Sequence, residues 1–312
     1  MEFFQYSNAA GIFFQAVPEP SFSGTDYFQS LCPMLLQLHP HTIHYHVFGK
    51  GPRLLFCLHG YGETGIEFAA LGNSLGDAYT LVCPDLPLHG NTRWEAASFG
   101  VEDLYGVLVA LAAAEGKNLQ ASEPFCMAGY SMGGRLALSL AERYPDTLSE
   151  LFLVAPDGLK MNFWYWLSTQ TTWGNLLFRK TMERPNWLFS GMEMARSLHL
   201  LNQSIYKFTH RFLDDPRQRQ DLYTRWTYFR HFRPDKNNLQ RLIRRHGLRT
   251  LLFFGKYDRI ITAKQGRRFA RSSGEQTGFY LLEAGHRLLK PSNATTIAEI
   301  ILTGKKASVT QP

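Results

Sequence analysis

The residues whose types and spacing most clearly suggest a chemical role are the pentapeptide G-Y-S-M-G at 129–133. It stands between an apolar run at 124–128 and a helical stretch at 134–143. A serine at a sharp strand-to-helix turn is held clear of the sheet edge, and glycines on either side allow the backbone to approach closely. The pattern predicts a nucleophile at Ser131. The alternative is a glycine-rich turn whose serine does no chemistry.

A serine hydroxyl is a weak nucleophile unless a base takes its proton. Asp258 follows the apolar run at 251–254, and His286 follows the run at 279–282. The chain order Ser, Asp, His is the order used with a strand-to-helix elbow, and the carboxyl ends of parallel strands are where open α/β sheets bind ligands. We therefore predict Ser131 as nucleophile, His286 as general base and Asp258 as the acid that orients the histidine.

Other acids and histidines compete for these roles. Asp157 follows the run ending at residue 155, and Glu283 lies close to His286. Asp258 has a second interpretation as the cap of the following helix. His59 and His89 each precede a glycine in a loop, which favours a role in orienting backbone. Asp258 remains the preferred acid because a late acid fits the chain order.

A glycine-rich loop, L-H-G-Y-G-E at residues 58–63, follows another apolar run. Its backbone N–H groups can turn toward a ligand, as an oxyanion hole requires. The expected donors are the N–H groups of Tyr61 and of Met132, the residue after the nucleophile. Loss of one such donor typically costs about 3–4 kcal/mol of transition-state stabilisation.

The charge distribution is uneven. The 312 residues carry a formal net charge of +7, and 12 basic residues stand against seven acidic ones between Asp157 and Asp235. Acids interleave with the bases and no nucleic-acid motif is present, so we expect no nucleic-acid partner. The segment instead predicts either a solvated basic face or a surface that attracts anionic substrates or makes peripheral contact with a membrane.

Apolar strand-like runs alternate with helical stretches through most of the chain, which predicts a mostly parallel sheet covered by helices. The runs at 42–48 and 53–58 predict a hairpin. Between residues 157 and 235 there is no clear strand, yet five of the six tryptophans occur there. We predict four parts: an N-terminal extension packed on the core (1–40), a first core part (41–156), a helical lid insertion (157–235) and a second core part (236–312).

The expected substrate pocket is apolar and aromatic, because ligand clefts usually are. Its candidate residues are Tyr130 beside the nucleophile, Trp164 and Trp166 in the insertion, and Arg135 in the helix after the elbow. No Cys/His spacing suggests a metal site, and no metal or organic cofactor is expected. The N-terminus lacks the basic region of a signal peptide and no apolar run is long enough to cross a bilayer, so we expect a cytoplasmic protein.

Five ordered motifs together resemble the α/β-hydrolase superfamily over residues 42–303: the H-G-Y-G loop at 59–62, the segment from Asp85 to Gly90, the 129–133 pentapeptide, Gly255 to Asp258, and Gly285-His286. The resemblance implies an eight-stranded, mostly parallel sheet flanked by helices, with a helical cap inserted after the sixth strand and a Ser131–His286–Asp258 triad beneath it. It disfavours the branches with an aspartate nucleophile, the epoxide hydrolases and haloalkane dehalogenases, because serine occupies that position.

These expectations converge on a serine hydrolase that cleaves a carboxylic ester or thioester of a fairly apolar small molecule, as a monomer or homodimer. A carbon–carbon bond hydrolase uses the same triad. A lyase is another alternative, because residues 129–135 resemble the corresponding stretch of menaquinone-pathway carboxylate synthases, in which the arginine helps to hold an anionic substrate. A ligand-binding receptor that keeps the fold without catalysis is the alternative of another class.

Overall fold

The computed structural model describes residues 34–119, 124–197 and 213–304. Eight strands of the described chain form one sheet: β1 (Met34–Leu38), β2 (His41–Phe48), β3 (Arg53–Leu58), β4 (Tyr79–Pro84), β5 (Phe125–Tyr130), β6 (Leu148–Val154), β7 (Arg249–Gly255) and β8 (Thr277–Leu282). The helices with described bounds are α1 (Ala69–Leu75), α2 (Val101–Ala114), α3 (Met132–Arg143), α4 (Phe163–Gln170), α5 (Thr172–Glu183), α6 (Asn186–Ser197), α7 (Pro216–Tyr228), α8 (Lys236–His246), α9 (Ala263–Ser273) and α10 (Pro291–Thr303).

The strand order is β1-β2-β4-β3-β5-β6-β7-β8. Every pairing from β4 to β8 along this order is parallel, and β2 runs antiparallel to both of its neighbours. The central strands β3, β5 and β7 are almost wholly buried, as expected for parallel strands covered on both faces. The prediction of a mostly parallel, eight-stranded sheet flanked by helices is therefore confirmed.

The predicted hairpin of residues 42–48 and 53–58 is wrong. β4 lies between β2 and β3 and pairs with both strands. The short connection at residues 49–52 crosses the start of β4, where the N–H groups of Lys50 and Gly51 donate to the Gly76 carbonyl at 2.9 Å. A Cβ on Gly51 would lie 2.2 Å from backbone atoms of Ala78 and Tyr79. Glycine at positions 49 and 51 of this connection allows the close crossing.

Residues 34–38 form β1 and pair with β2 in the sheet, although the sequence assigned them to an extension. The register Leu38↔His41 places a tight connection at His39 and Pro40, which is where the sequence suggested a boundary. The strand was missed because its run, M-L-L-Q-L, lacks clean alternation. Residues 1–33 of the predicted extension lie outside the described residues.

The described chain divides into two compact units. The first contains the sheet with α1–α3 and α8–α10, and the second contains residues 97–99 and the helical segment after β6. Within the second unit, the Trp226 ring contacts those of Tyr165 and Phe178. Buried Arg219 donates to the backbone carbonyls of Met182 and Leu213. The domain boundaries drawn from the sequence stay predictions, and within the described ranges no helix has the length and apolarity needed to span a bilayer.

A buried carboxylate ties the amino ends of four strands together. Glu150 of β6 accepts hydrogen bonds from Arg53 of β3 and Arg249 of β7, and from the Tyr79 hydroxyl of β4 at 2.8 Å. Burial raises the pKa of Glu150, but hydrogen bonds from Arg249 and Tyr79 and the nearby arginine charges outweigh it and hold the pKa below its ordinary value. The ionised carboxylate therefore stabilises the fold, and its contribution is lost as the pH falls through that lowered pKa.

We expect Glu150→Ala to lower the free energy of unfolding by about 2–3 kcal/mol, measured by urea titration. The loss is smaller than for a fully buried pair because both arginine side chains reach solvent. Arg143→Ala, which removes an exposed ion pair with Glu102, is the matched control and should leave the unfolding midpoint nearly unchanged. Equal effects of the two substitutions would contradict a special role for Glu150.

Candidate active site

Ser131 adopts a strained backbone conformation between β5 and α3. Its φ is +51°, a region that residues other than glycine rarely enter and that costs on the order of 1–3 kcal/mol. Two bonds hold it there: its N–H donates to the Val154 carbonyl at 3.0 Å, and its own carbonyl accepts the Asp157 N–H at 2.9 Å. The glycine at 133 is required because a Cβ there would lie 2.0 Å from the Leu58 carbonyl oxygen.

The structure brings Ser131, His286 and Asp258 together in hydrogen-bond contact. His286 Nε2 lies 3.0 Å from Ser131 Oγ, and His286 Nδ1 lies 2.8 Å from Asp258 Oδ2. This spacing suits a histidine that takes a proton from the serine while the carboxylate holds the imidazole in the required tautomer.

The Asp258 carboxylate is buried and satisfied on both oxygens. Its Oδ1 accepts the N–H groups of Ile260 and Ile261 at 2.8 and 2.9 Å. Burial raises the pKa of Asp258, but the hydrogen bond from His286 and the two backbone hydrogen bonds outweigh it and lower the pKa below its ordinary value. The group therefore stays ionised, as a partner of a protonated imidazole must be.

The rival acids lie elsewhere. The Asp157 N–H binds the Ser131 carbonyl, while its side chain accepts the Gly158 N–H and lies beside Arg135. The exposed Glu283 carboxylate accepts hydrogen bonds from Lys256 and Tyr257, each at 2.6 Å. For neither acid does the structure give a hydrogen bond to His286.

The two predicted oxyanion donors follow two neighbouring strands, β3 and β5. Tyr61 lies in the loop after β3, and Met132 is the first residue of α3, where backbone N–H groups have no intrahelical partner. β3 pairs with β5 in a register that sets Leu58 opposite Gly129. The loop and the elbow therefore leave the sheet side by side.

The four candidate pocket residues have different surroundings. Tyr130 is buried, and its hydroxyl donates to the His286 carbonyl at 3.2 Å. Arg135 is also buried, with its Nε 3.6 Å from Asp157 Oδ2. Trp164 and Trp166 lie on α4 in the second compact unit, with 70% and 38% of their surface exposed. Tyr130 thus contacts His286, whereas a place in the pocket stays a prediction for all four residues.

Glu63 was not singled out in the sequence analysis. Its carboxylate accepts the Gly60 N–H at 3.1 Å, and burial, reinforced by the charge of Glu67, raises its pKa to about 7. Only the position of Glu63 in the sequence pointed to it, since Glu63 is the last residue of the glycine-rich loop predicted to form the oxyanion hole. In the parts of the chain that are described, no group of three or more His, Cys, Asp or Glu side chains is placed to hold a metal ion.

A family comparison matches residues 55–299 to the alpha/beta hydrolase family. The chain belongs to this family. An uncharacterized hydrolase of Bacillus subtilis (strain 168), YugF, is 23% identical over 245 residues, which is 77% of this chain and 86% of that protein. The pimeloyl-[acyl-carrier protein] methyl ester esterase of Stenotrophomonas maltophilia (strain K279a) is 33% identical over 33% of this chain and 36% of its own length. That match therefore spans only about a third of either protein.

Solved structures share the fold at low sequence identity. A thermophilic esterase from Thermogutta terrifontis, with malate bound, superimposes with a TM-score of 0.59 at 19% identity, covering 84% of this chain and 93% of its own. A meta-cleavage product hydrolase from Pseudomonas fluorescens IP01 superimposes with a TM-score of 0.55 at 16% identity, and the match covers 85% of this chain and 96% of that hydrolase chain. The chain is therefore a hydrolase of the α/β fold with esterase-like relatives.

We expect Gly133→Ala to destabilise the protein by about 1–3 kcal/mol, because the new methyl group must push the Leu58 carbonyl away from the elbow. Gly106→Ala is the matched control: this exposed helical glycine has no neighbour within 4 Å of the added Cβ, so the change should stabilise by about 0.4–1 kcal/mol. Chemical unfolding measures both. A neutral Gly133→Ala would contradict the close packing of the elbow.

Proposed function

We propose that this protein is a serine hydrolase that cleaves a carboxylic ester or thioester of a fairly apolar small molecule. The observation that carries the proposal is His286, whose two ring nitrogens lie within hydrogen-bond distance of Ser131 Oγ and Asp258 Oδ2. A serine without a catalytic role would not explain a histidine nitrogen 3.0 Å from its Oγ, or the strained backbone that exposes its hydroxyl.

The reaction proceeds by acyl transfer in two steps. Ser131 Oγ attacks the substrate carbonyl as His286 Nε2 takes its proton, and the N–H groups of Tyr61 and Met132 stabilise the negative oxygen that forms. His286 then protonates the leaving oxygen or sulfur, which departs as the alcohol or thiol, and the acyl group remains on Ser131. In the second step His286 takes a proton from water, which attacks the acyl carbonyl. As the tetrahedral intermediate collapses, His286 returns that proton to Ser131 Oγ and the acid is released. Asp258 stabilises the imidazolium formed in each step.

The relatives support an ester or thioester as the substrate. Among the proteins similar to this chain are a methyl ester esterase, a 3-hydroxybutyrate-oligomer hydrolase of Cupriavidus necator and a thioesterase domain from the curacin biosynthetic pathway. The second compact unit exposes large apolar side chains, Trp164 and Trp173 among them, and a substrate-binding role for this segment stays a prediction. Peripheral membrane contact through the basic segment, a monomeric or dimeric state and a cytoplasmic location stay predictions.

The alternatives receive weaker support. A carbon–carbon bond hydrolase shares the triad, and the meta-cleavage product hydrolase has the same fold. The lyase alternative requires Arg135 to hold an anionic substrate, yet its buried guanidinium lies beside the Asp157 carboxylate. A role as a non-catalytic receptor does not explain why Asp258, beside His286, is held ionised by three hydrogen bonds.

Turnover of a chain-length series of aryl esters and acyl thioesters tests the proposal. We expect the wild type to hydrolyse members of the series and Ser131→Ala to lose about 10⁶-fold in kcat, because the nucleophile is removed. Full turnover by Ser131→Ala on every substrate that the wild type cleaves would overturn the proposal.

Matched substitutions of the two rival acids identify the acid of the triad. We expect Asp258→Asn to lower kcat by about 10⁴-fold, because an amide cannot stabilise the imidazolium or select its tautomer. Asp157→Asn keeps the backbone N–H that binds Ser131 and should retain kcat to within about tenfold. The same steady-state assay measures both variants, and a larger loss in Asp157→Asn would reassign the acid.

A further inference from the structure

A four-residue turn, Gly60 to Glu63, closes the loop that carries the proposed donor Tyr61. The Glu63 N–H donates to the Gly60 carbonyl at 3.3 Å, and the Glu63 carboxylate accepts the Gly60 N–H at 3.1 Å. Glu63 therefore holds both polar groups of Gly60. Gly62, the third residue of the turn, has a φ of +75°, which glycine adopts without strain.

The Gly60 carbonyl has a second partner in His59, whose Nδ1 lies 2.8 Å away. His59 Nε2 accepts the Leu86 N–H at 2.9 Å, so the ring proton is on Nδ1 and is donated to that carbonyl. This matches the backbone-orienting role that the sequence suggested for His59.

Holding the Gly60 carbonyl sets the direction of the Tyr61 N–H. The two groups belong to one planar trans peptide, in which C=O and N–H point in opposite directions. Partners that fix the carbonyl on one side therefore aim the Tyr61 N–H toward the other side. The carboxylate packs closely enough that a Cβ on Gly60 would lie 2.6 Å from Glu63 Oε2 and 3.2 Å from the Tyr130 ring.

On this basis, and resting on the proposed function, we propose that Glu63 is a positioning residue for the oxyanion hole: its carboxylate and its backbone N–H clamp Gly60 and so orient the Gly60–Tyr61 peptide. No contact of Glu63 with the substrate is involved. The ionised carboxylate is the effective form, because a charged acceptor binds a backbone N–H more strongly than a neutral one.

The charged and titratable groups around Glu63 place this ionisation near neutral pH. Burial and the Glu67 charge raise the pKa of Glu63 to about 7, while the Gly60 N–H and the charges of His286 and Arg287 oppose that rise. Tyr130 also lies close, and its own pKa is raised by burial and by the Glu63 charge. The clamp therefore weakens as the pH falls through about 7.

Three variants test the clamp in the full-length protein, with an aryl ester that the wild type hydrolyses. At pH 8 we expect Glu63→Ala to lose about tenfold in kcat with KM changed by less than about threefold, since the fault lies in transition-state stabilisation. Glu63→Gln keeps an acceptor oxygen and should stay within about threefold in kcat. Its pH profile of kcat should lack an ionisation near 7 that the wild type shows.

Glu67→Gln is the matched control, because it removes the neighbouring charge and leaves the turn intact. We expect unchanged kcat at pH 8 and a shift of the Glu63 ionisation to lower pH. A Glu63→Ala enzyme with kcat within twofold of wild type would overturn the proposal, as would superimposable pH profiles for Glu63→Gln and wild type. If Glu63→Ala fails to fold, the Glu63→Gln profile decides.

The Ser131→Ala enzyme separates this inference from the proposed function. An active Ser131→Ala enzyme contradicts the serine mechanism itself. An inactive Ser131→Ala enzyme together with a fully active Glu63→Ala enzyme contradicts only the positioning role of Glu63.

Discussion

The backbone of Ser131 is the constraint on which the rest of the site depends. A serine with a φ of +51° persists only where its surroundings leave no alternative, and here β6 supplies the carbonyl that accepts its N–H. Gly133 allows α3 to begin in contact with the Leu58 carbonyl at the end of β3. The strands β3, β5 and β6 and the helix α3 thus meet around Ser131, and the loop that carries Tyr61 leaves the sheet beside it.

The two ends of the sheet use buried charge differently. At the amino ends, the Glu150 carboxylate is satisfied by Arg53, Arg249 and Tyr79, and we assign it a role in stability alone. At the carboxyl ends, Asp258 is held by a histidine and two backbone N–H groups. Both carboxylates have lowered pKa values despite burial, because their hydrogen-bond donors favour the ionised form. Glu63 has fewer donors, and burial raises its pKa.

The sequence was sufficient to predict which of the proposed catalytic side chains the fold brings together. Asp258 and His286 each follow a buried parallel strand, and the carboxyl ends of such strands share one edge. Strand pairing was harder to predict, because the insertion of β4 between β2 and β3 depends on contacts distant in the chain. Glu63 was missed because the shift of its pKa comes from burial and from Glu67, which only the folded chain supplies.

Activation of Ser131 as a nucleophile by His286 is tested by labelling with a fluorophosphonate probe, which reacts with an activated serine. Peptide mass spectrometry of the labelled wild type should locate the adduct on Ser131. The labelling rate should fall by about 10²–10⁴-fold in His286→Ala, because the general base is gone. An adduct on another residue, or equal labelling rates in the two proteins, would contradict activation of Ser131 by His286.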